Sequence, residues 1–160
     1  MKNKFSIYLS VSIKKGGNDK RDPSYFWTVE QEEILKNIIN AAEVIICNPA
    51  TFTIPRHNYE ENYKACVKSV IDSNLVLVDA RQKKGIGVGG EMMVAKYENV
   101  PVMTIAPPNT HYRKLVESTT SPTGESEWLH PFIFGLSTWI VDDLEEACSK
   151  INTLIDNGTL

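Results

Sequence analysis

The chain has 160 residues, a formal net charge of −3 and 42% hydrophobic side chains, the size and composition of one globular domain. Its 20 acidic and 17 basic side chains nearly balance, which excludes a non-specific nucleic-acid coat and a polybasic membrane anchor. No apolar run approaches the roughly 20 residues of a membrane span and no signal-peptide block follows Met1, so a soluble cytoplasmic protein is expected.

In chain order, Phe5, Ile7, Leu9 and Val11 alternate with Ser6, Tyr8, Ser10 and Ser12, the period-2 pattern of a strand with a polar face. Asp22-Pro23 reads as a helix N-cap with proline at the first helical position, followed by Ile34, Leu35, Ile38, Ile39 and Ala42 at helical spacing. Val44-Ile45-Ile46-Cys47 predicts a strand buried on both faces, ended by Asn48-Pro49. Asn58 and Glu61 predict a capped helix start, with Tyr63, Cys66, Val67, Val70 and Ile71 on one stripe. Leu75–Asp79 is a third strand, and residues 80–88 form a glycine-rich and basic loop, after which Gly89-Gly90-Glu91 opens a helix through Glu98.

Residues 101–106 predict a fourth strand, stopped by Pro107-Pro108, and residues 118–127 read as a mobile surface loop without apolar periodicity. Trp139-Ile140-Val141 predicts the fifth strand. Asp142 and Glu145 then cap a last helix carrying Leu144, Ala147, Cys148, Ile151, Leu154 and Ile155, which Gly158 ends. The alternation predicts a single α/β domain over residues 1–160, with a mostly parallel five-stranded sheet and helices on both faces, Rossmann- or flavodoxin-like. Ligands of such sheets bind beyond the carboxyl ends of the strands, which places the site in the loops at residues 12–18, 48–57, 79–91 and 107–113.

Three cysteines, Cys47, Cys66 and Cys148, sit in apolar stretches without CxxC spacing, and His57, His111 and His130 are scattered, so neither metal nor cofactor is expected. The densest chemistry lies between Asp79 and Glu91, where four of the nine glycines, Gly85, Gly87, Gly89 and Gly90, fall within six residues. Such a segment is either an ordinary tight turn or a cradle whose backbone N–H groups and helix N-terminus receive an anion. It is not a P-loop, because no Gly-Lys-Ser/Thr follows. Glu91, in the first turn of the predicted helix, is either a solvated residue favoured by the helix dipole or a carboxylate that the same field keeps ionised as a nucleophile. Arg81, Lys83 and Lys84 are either a solvated basic run or part of a locally basic cleft.

The run Ile7-Tyr8-Leu9-Ser10-Val11-Ser12-Ile13, followed by Lys14 and Gly16-Gly17, together with Gly87-Val88-Gly89-Gly90-Glu91 and Ala95, resembles the nucleoside 2-deoxyribosyltransferase superfamily. The similarity is nearest to its short branch of nucleoside 5'-monophosphate N-glycosidases. That resemblance implies hydrolysis of the N-glycosidic bond of a nucleotide or nucleoside through a glycosyl ester on Glu91, oriented by Tyr8, with Asp79 at an acidic position that ends the third strand. It further implies a phosphate or substrate set of Ser10, Ser12, Ile13, Lys14, Gly85, Gly87, Gly89, Gly90 and Asn109. His130 is the nearest match to a residue that reaches the neighbouring subunit's site, so a homodimer or higher homo-oligomer is expected. Neither a nucleic acid nor a membrane is an expected partner. Lys14 stands at an arginine position of that branch, Val11 at a glycine, Gly85 at a serine and Cys66 at an aspartate that contacts sugar or base. Base transfer between deoxyribosides, nucleotide sensing without catalysis and cleavage of NAD are the alternative functions.

Overall fold

Alternation in the first strand places its apolar and polar residues against two different helical layers. The structure, a computed structural model, describes residues 4–13 and 20–160; Lys14, Lys15, Gly16 and Gly17 lie outside the described residues. In β1 (Lys4–Ser10) the side chains of Phe5, Ile7 and Leu9 join one core with Leu35, Ile39, Ala147 and Ile151. Tyr8 turns the other way and packs with Val70, Val76, Val78, Val88 and Met92.

Thr28 and Gln31 form the capping box of α1 (Val29–Ile38), with the Gln31 N–H donating to Thr28 Oγ1 at 3.3 Å and the Thr28 N–H donating to Gln31 Oε1 at 3.0 Å. This corrects the start expected at Asp22, whose carboxylate accepts from the Ser24 N–H and ends up beside a short 3-10 turn, Pro23–Tyr25. β2 (Glu43–Cys47) is also corrected. It is an edge strand paired only with β1, and Ile45 is 40% exposed, so a continuous apolar run did not here mean burial on both faces. α2 (Tyr59–Ile71) is capped by Asn58 as expected, yet of its predicted stripe Val70 is fully buried whereas Tyr63 and Ile71 are exposed.

β3 (Leu75–Asp79) is buried along its whole length, as a central strand between β1 and β4 (Val102–Ile105) must be. Between them runs α3 (Ile86–Tyr97), held to the sheet by Val88, Met92 and Ala95. The segment expected as a loop at 118–127 instead contributes to a hairpin, β5 (Arg113–Glu117) antiparallel to β6 (Glu125–Leu129). β5 is largely exposed and β6 only half-buried, so no fully buried face imposed the alternation that reveals a strand. The short α4 (Pro131–Leu136) follows, capped by His130. β7 (Trp139–Val141) is the expected fifth strand of the main sheet, and α5 (Leu144–Asp156) is capped by Asp143 with Glu146, one residue later than expected. Gly158 adopts φ +76° just past that helix, as a terminating glycine should.

The five parallel strands are ordered β2-β1-β3-β4-β7, confirming the α/β, flavodoxin-like sheet with helices on both faces. From β1 the chain moves outward to β2 and then returns to the other side of β1 for β3. The strand order therefore reverses between β1 and β3, and the diverging connections leave a crevice at their carboxyl ends. Among the described residues no helix is long and apolar enough to cross a membrane.

Candidate functional site

Tyr8 and Ser10 lie two residues apart on β1, so both side chains leave the same face of the sheet. Both are fully buried. α3 crosses that face and brings Glu91 to them: the Tyr8 hydroxyl donates to Glu91 Oε1 at 2.8 Å, and the Ser10 hydroxyl donates to Oε2. Each carboxylate oxygen thus has its own hydroxyl donor, at the reversal point of the strand order. Charge-assisted bonds of this kind are the stronger sort, and two of them fix the plane of the carboxylate.

The helix does not open at Gly89. α3 starts at Ile86 with Gly85 as its N-cap, so Glu91 lies in the second turn rather than the first, and the dipole argument for keeping it ionised does not apply. The sequence placed the start late because glycine is a poor helix former; packing of Val88 and Met92 on the sheet overrides that preference. Burial pushes the Glu91 carboxyl above the usual carboxylate range, and the Ser10 and Tyr8 hydroxyls pull it partly back. Tyr8 is raised far above the ordinary phenol range, first by burial and then by the Glu91 charge, so its proton stays in place to be donated. The Cys66 thiol lies against the Tyr8 hydroxyl and is itself raised by burial, which leaves a neutral group where a carboxylate would repel Glu91.

Asp79 serves a different neighbourhood. Its buried carboxylate accepts from Arg81 Nε at 2.8 Å and Nη2 at 3.2 Å, and from Lys84 Nζ at 3.0 Å, while Oδ1 also accepts the Arg81 N–H. The Lys84 side chain is only 2% exposed, so this basic run is not simply a solvated one. Burial lowers its pKa and the Asp79 charge restores part of the loss. Lys84 Nζ also donates to the Tyr25 carbonyl at 3.2 Å, and the Arg81 guanidinium lies 5.8 Å from the Trp27 ring centre. Two cations on one carboxylate leave an excess positive charge beside the carboxyl end of β3. Trp27, which nothing in the sequence marked, has a buried indole N–H without a hydrogen-bond partner among the described residues.

Of the remaining predicted residues, Gly85, Gly89 and His130 line one cavity beside α3, and the others are dispersed. Ser12 is buried, and the Ile13 carbonyl accepts from Arg21 Nη2 at 2.8 Å; Lys14 lies outside the described residues. Gly87, Gly89 and Gly90 are helical and Gly85 is extended; none has positive φ, and a Cβ at any of the four would meet nothing within 4 Å. Their absence of side chains therefore opens the surface of α3 without being required by the backbone or by packing within the chain. Asn109 is exposed in the turn after β4 with φ 59°, a conformation asparagine tolerates. His130 caps α4, its ring Nδ1 accepting the Phe132 N–H at 3.3 Å and its backbone N–H donating to the Tyr112 carbonyl at 2.8 Å. Among the described residues no group of three or more His, Cys, Asp or Glu side chains is placed to hold a metal ion.

No protein-family profile matches the chain, and no curated protein matches it. Among solved structures it is similar to a conserved protein from Enterococcus faecalis V583, with a TM-score of 0.64 at 15% identity over 94% of this chain and 99% of that one. At that identity the likeness speaks for the fold.

Proposed function

We propose that this chain hydrolyses the N-glycosidic bond of a nucleoside 5'-monophosphate or related nucleoside, with Glu91 as nucleophile. The observation that supports this reading is the Glu91 carboxylate held by the Tyr8 and Ser10 hydroxyls at the strand-order reversal. In the proposed reaction a lone pair of Glu91 forms the bond to C1' as the C1'–N bond breaks and its electron pair departs with the base. Water then cleaves the glycosyl ester. As the carboxylate charge is consumed, the hydroxyl bonded to the oxygen that does not attack, Tyr8 on Oε1 or Ser10 on Oε2, holds it in place. Arg81 and Lys84 supply positive charge for a phosphate, and the open surface at Gly87 and Gly90 lets a ligand approach the helix backbone. The exposed Phe132, Phe134, Tyr59 and Tyr63 support the expectation of self-association.

Incubation with a panel of nucleoside monophosphates and chromatography of the free base tests the assignment. Wild-type protein should release base, and Glu91→Ala should lower the rate by at least about three orders of magnitude, the scale of losing a covalent nucleophile. Equal rates overturn it. A second reading, nucleotide binding without turnover, is favoured by the burial that pushes Glu91 toward its protonated, non-nucleophilic form. It predicts a ligand-induced rise in melting temperature with no base released.

A further inference from the structure

A cavity of about 120 Å³ opens beside α3, bounded by Lys84 and Gly85, by α4 and by the rings that precede it. Gly85 at the N-cap of α3, and Gly89 and Met92 within it, line it, whereas Glu91 does not; at 3.6 residues per turn Gly89, Met92 and Glu91 do not share one flank of the helix. Glu91 faces β1, and the cavity faces α4. The two sites are therefore separated by the helix itself.

Apolar walls come from Val88, Met92 and Leu136, and aromatic ones from Tyr112, His130 and Phe132. The rings brace one another: Tyr112 and His130 meet edge to face with centroids 5.6 Å apart, and Trp128 packs on His130 at 5.9 Å. Their arrangement is preformed, so a ring entering the cavity meets faces and edges already in place. A dry cavity of about 150 Å³ takes up benzene, so this one of about 120 Å³, open on one side, is of a size for a single six-membered ring.

Polar side chains in the lining are Lys84, Tyr112 and His130. The Tyr112 hydroxyl accepts the Lys84 N–H at 2.8 Å, and among the described residues its own proton has no acceptor. His130, whose Nδ1 accepts the Phe132 N–H, keeps its ring proton on Nε2, so a largely apolar cavity with available donors fits a ring that offers an acceptor. We infer that this cavity is a second binding site, for a single pyridine-type ring whose nitrogen accepts the Tyr112 proton. It does not include Glu91, although Lys84 borders both sites.

Titration with 3-methylpyridine, at mildly alkaline pH where the ring is uncharged, tests the site by ligand-observed NMR, with toluene as the isostere lacking the nitrogen. Wild type should bind 3-methylpyridine about tenfold more tightly than toluene, the worth of one hydrogen bond, and Tyr112→Phe should erase that difference while toluene binding persists. Gly89→Leu should abolish binding of both, because its side chain enters the mouth from a helical position where a Cβ meets nothing within 4 Å. Glu91→Gln should bind like wild type, which separates this site from the proposed active centre. No binding by wild type, binding that survives Gly89→Leu, or binding lost in Glu91→Gln overturns the inference. So does a sedimentation experiment in which Gly89→Leu turns a dimer into a monomer, since a second copy then occupies the cavity.

Discussion

Glu91 carries opposing influences: burial disfavours its charge, and two hydroxyl donors favour it. Tyr8→Phe removes one of those donors while preserving the ring that fills the core. The carboxyl pKa should then rise further, so the acidic limb of the kcat/KM profile for base release should move to higher pH, with a rate loss of about tenfold or more at neutral pH. A profile that keeps its limb while losing rate would assign Tyr8 to packing alone. Cys66 sharpens the same balance, because an ionised side chain in its place would add repulsion that the neutral thiol avoids. Tyr8 and Ser10 were legible as the polar face of the first strand. Their partnership with Glu91 was not, since no local pattern links residues 83 and 81 positions apart.

At the scale of elements, the loop joining β3 to α3 is organised by Asp79 rather than by its glycines. Asp79→Asn would leave Lys84 buried without its counter-charge and should cost about 3 kcal/mol in urea unfolding, whereas Lys84→Met should cost less because Arg81 still engages the Asp79 carboxylate. Equal losses would argue that the ion pair acts as a unit with Arg81 a bystander. The basic run and the acidic strand end were both visible in the sequence, but their pairing depended on the chain curling back from residue 84. Boundaries shifted for comparable reasons. Asp22 had the chemistry of a cap without a helix to cap, and α3 began at Ile86 because burial of Val88 and Met92 outweighs the cost of its glycines. The hairpin of β5 and β6 escaped the sequence because β5 is mostly exposed and β6 only half-buried, so neither is forced into apolar alternation.

Across the whole molecule, the parallel sheet was readable because each of its five strands has a run of apolar residues set between helical patterns. Burying Glu91 also gives the whole chain a pH-dependent stability. Its carboxyl group titrates higher in the folded than in the unfolded chain, so between those two values folding retains a proton that unfolding releases. Stability contributed by the protonated form is complete below the unfolded value and is lost as pH rises through the folded one. Glu91→Gln removes this dependence, so its melting temperature relative to wild type should increase from about pH 4 to about pH 7, across the ordinary carboxylate range and beyond it. A constant difference would mean that the hydroxyl donors fully offset burial. The 83-residue separation of Tyr8 and Glu91 also bears on the order in which the molecule assembles. Closing so long a stretch of chain is entropically unfavourable until the pairing of β1 with β3 has brought its ends together. A chain that has formed α3 without that pairing holds a glutamate with neither of its donors, so the arrangement around Glu91 is a late product of folding, acquired only when the centre of the sheet is complete.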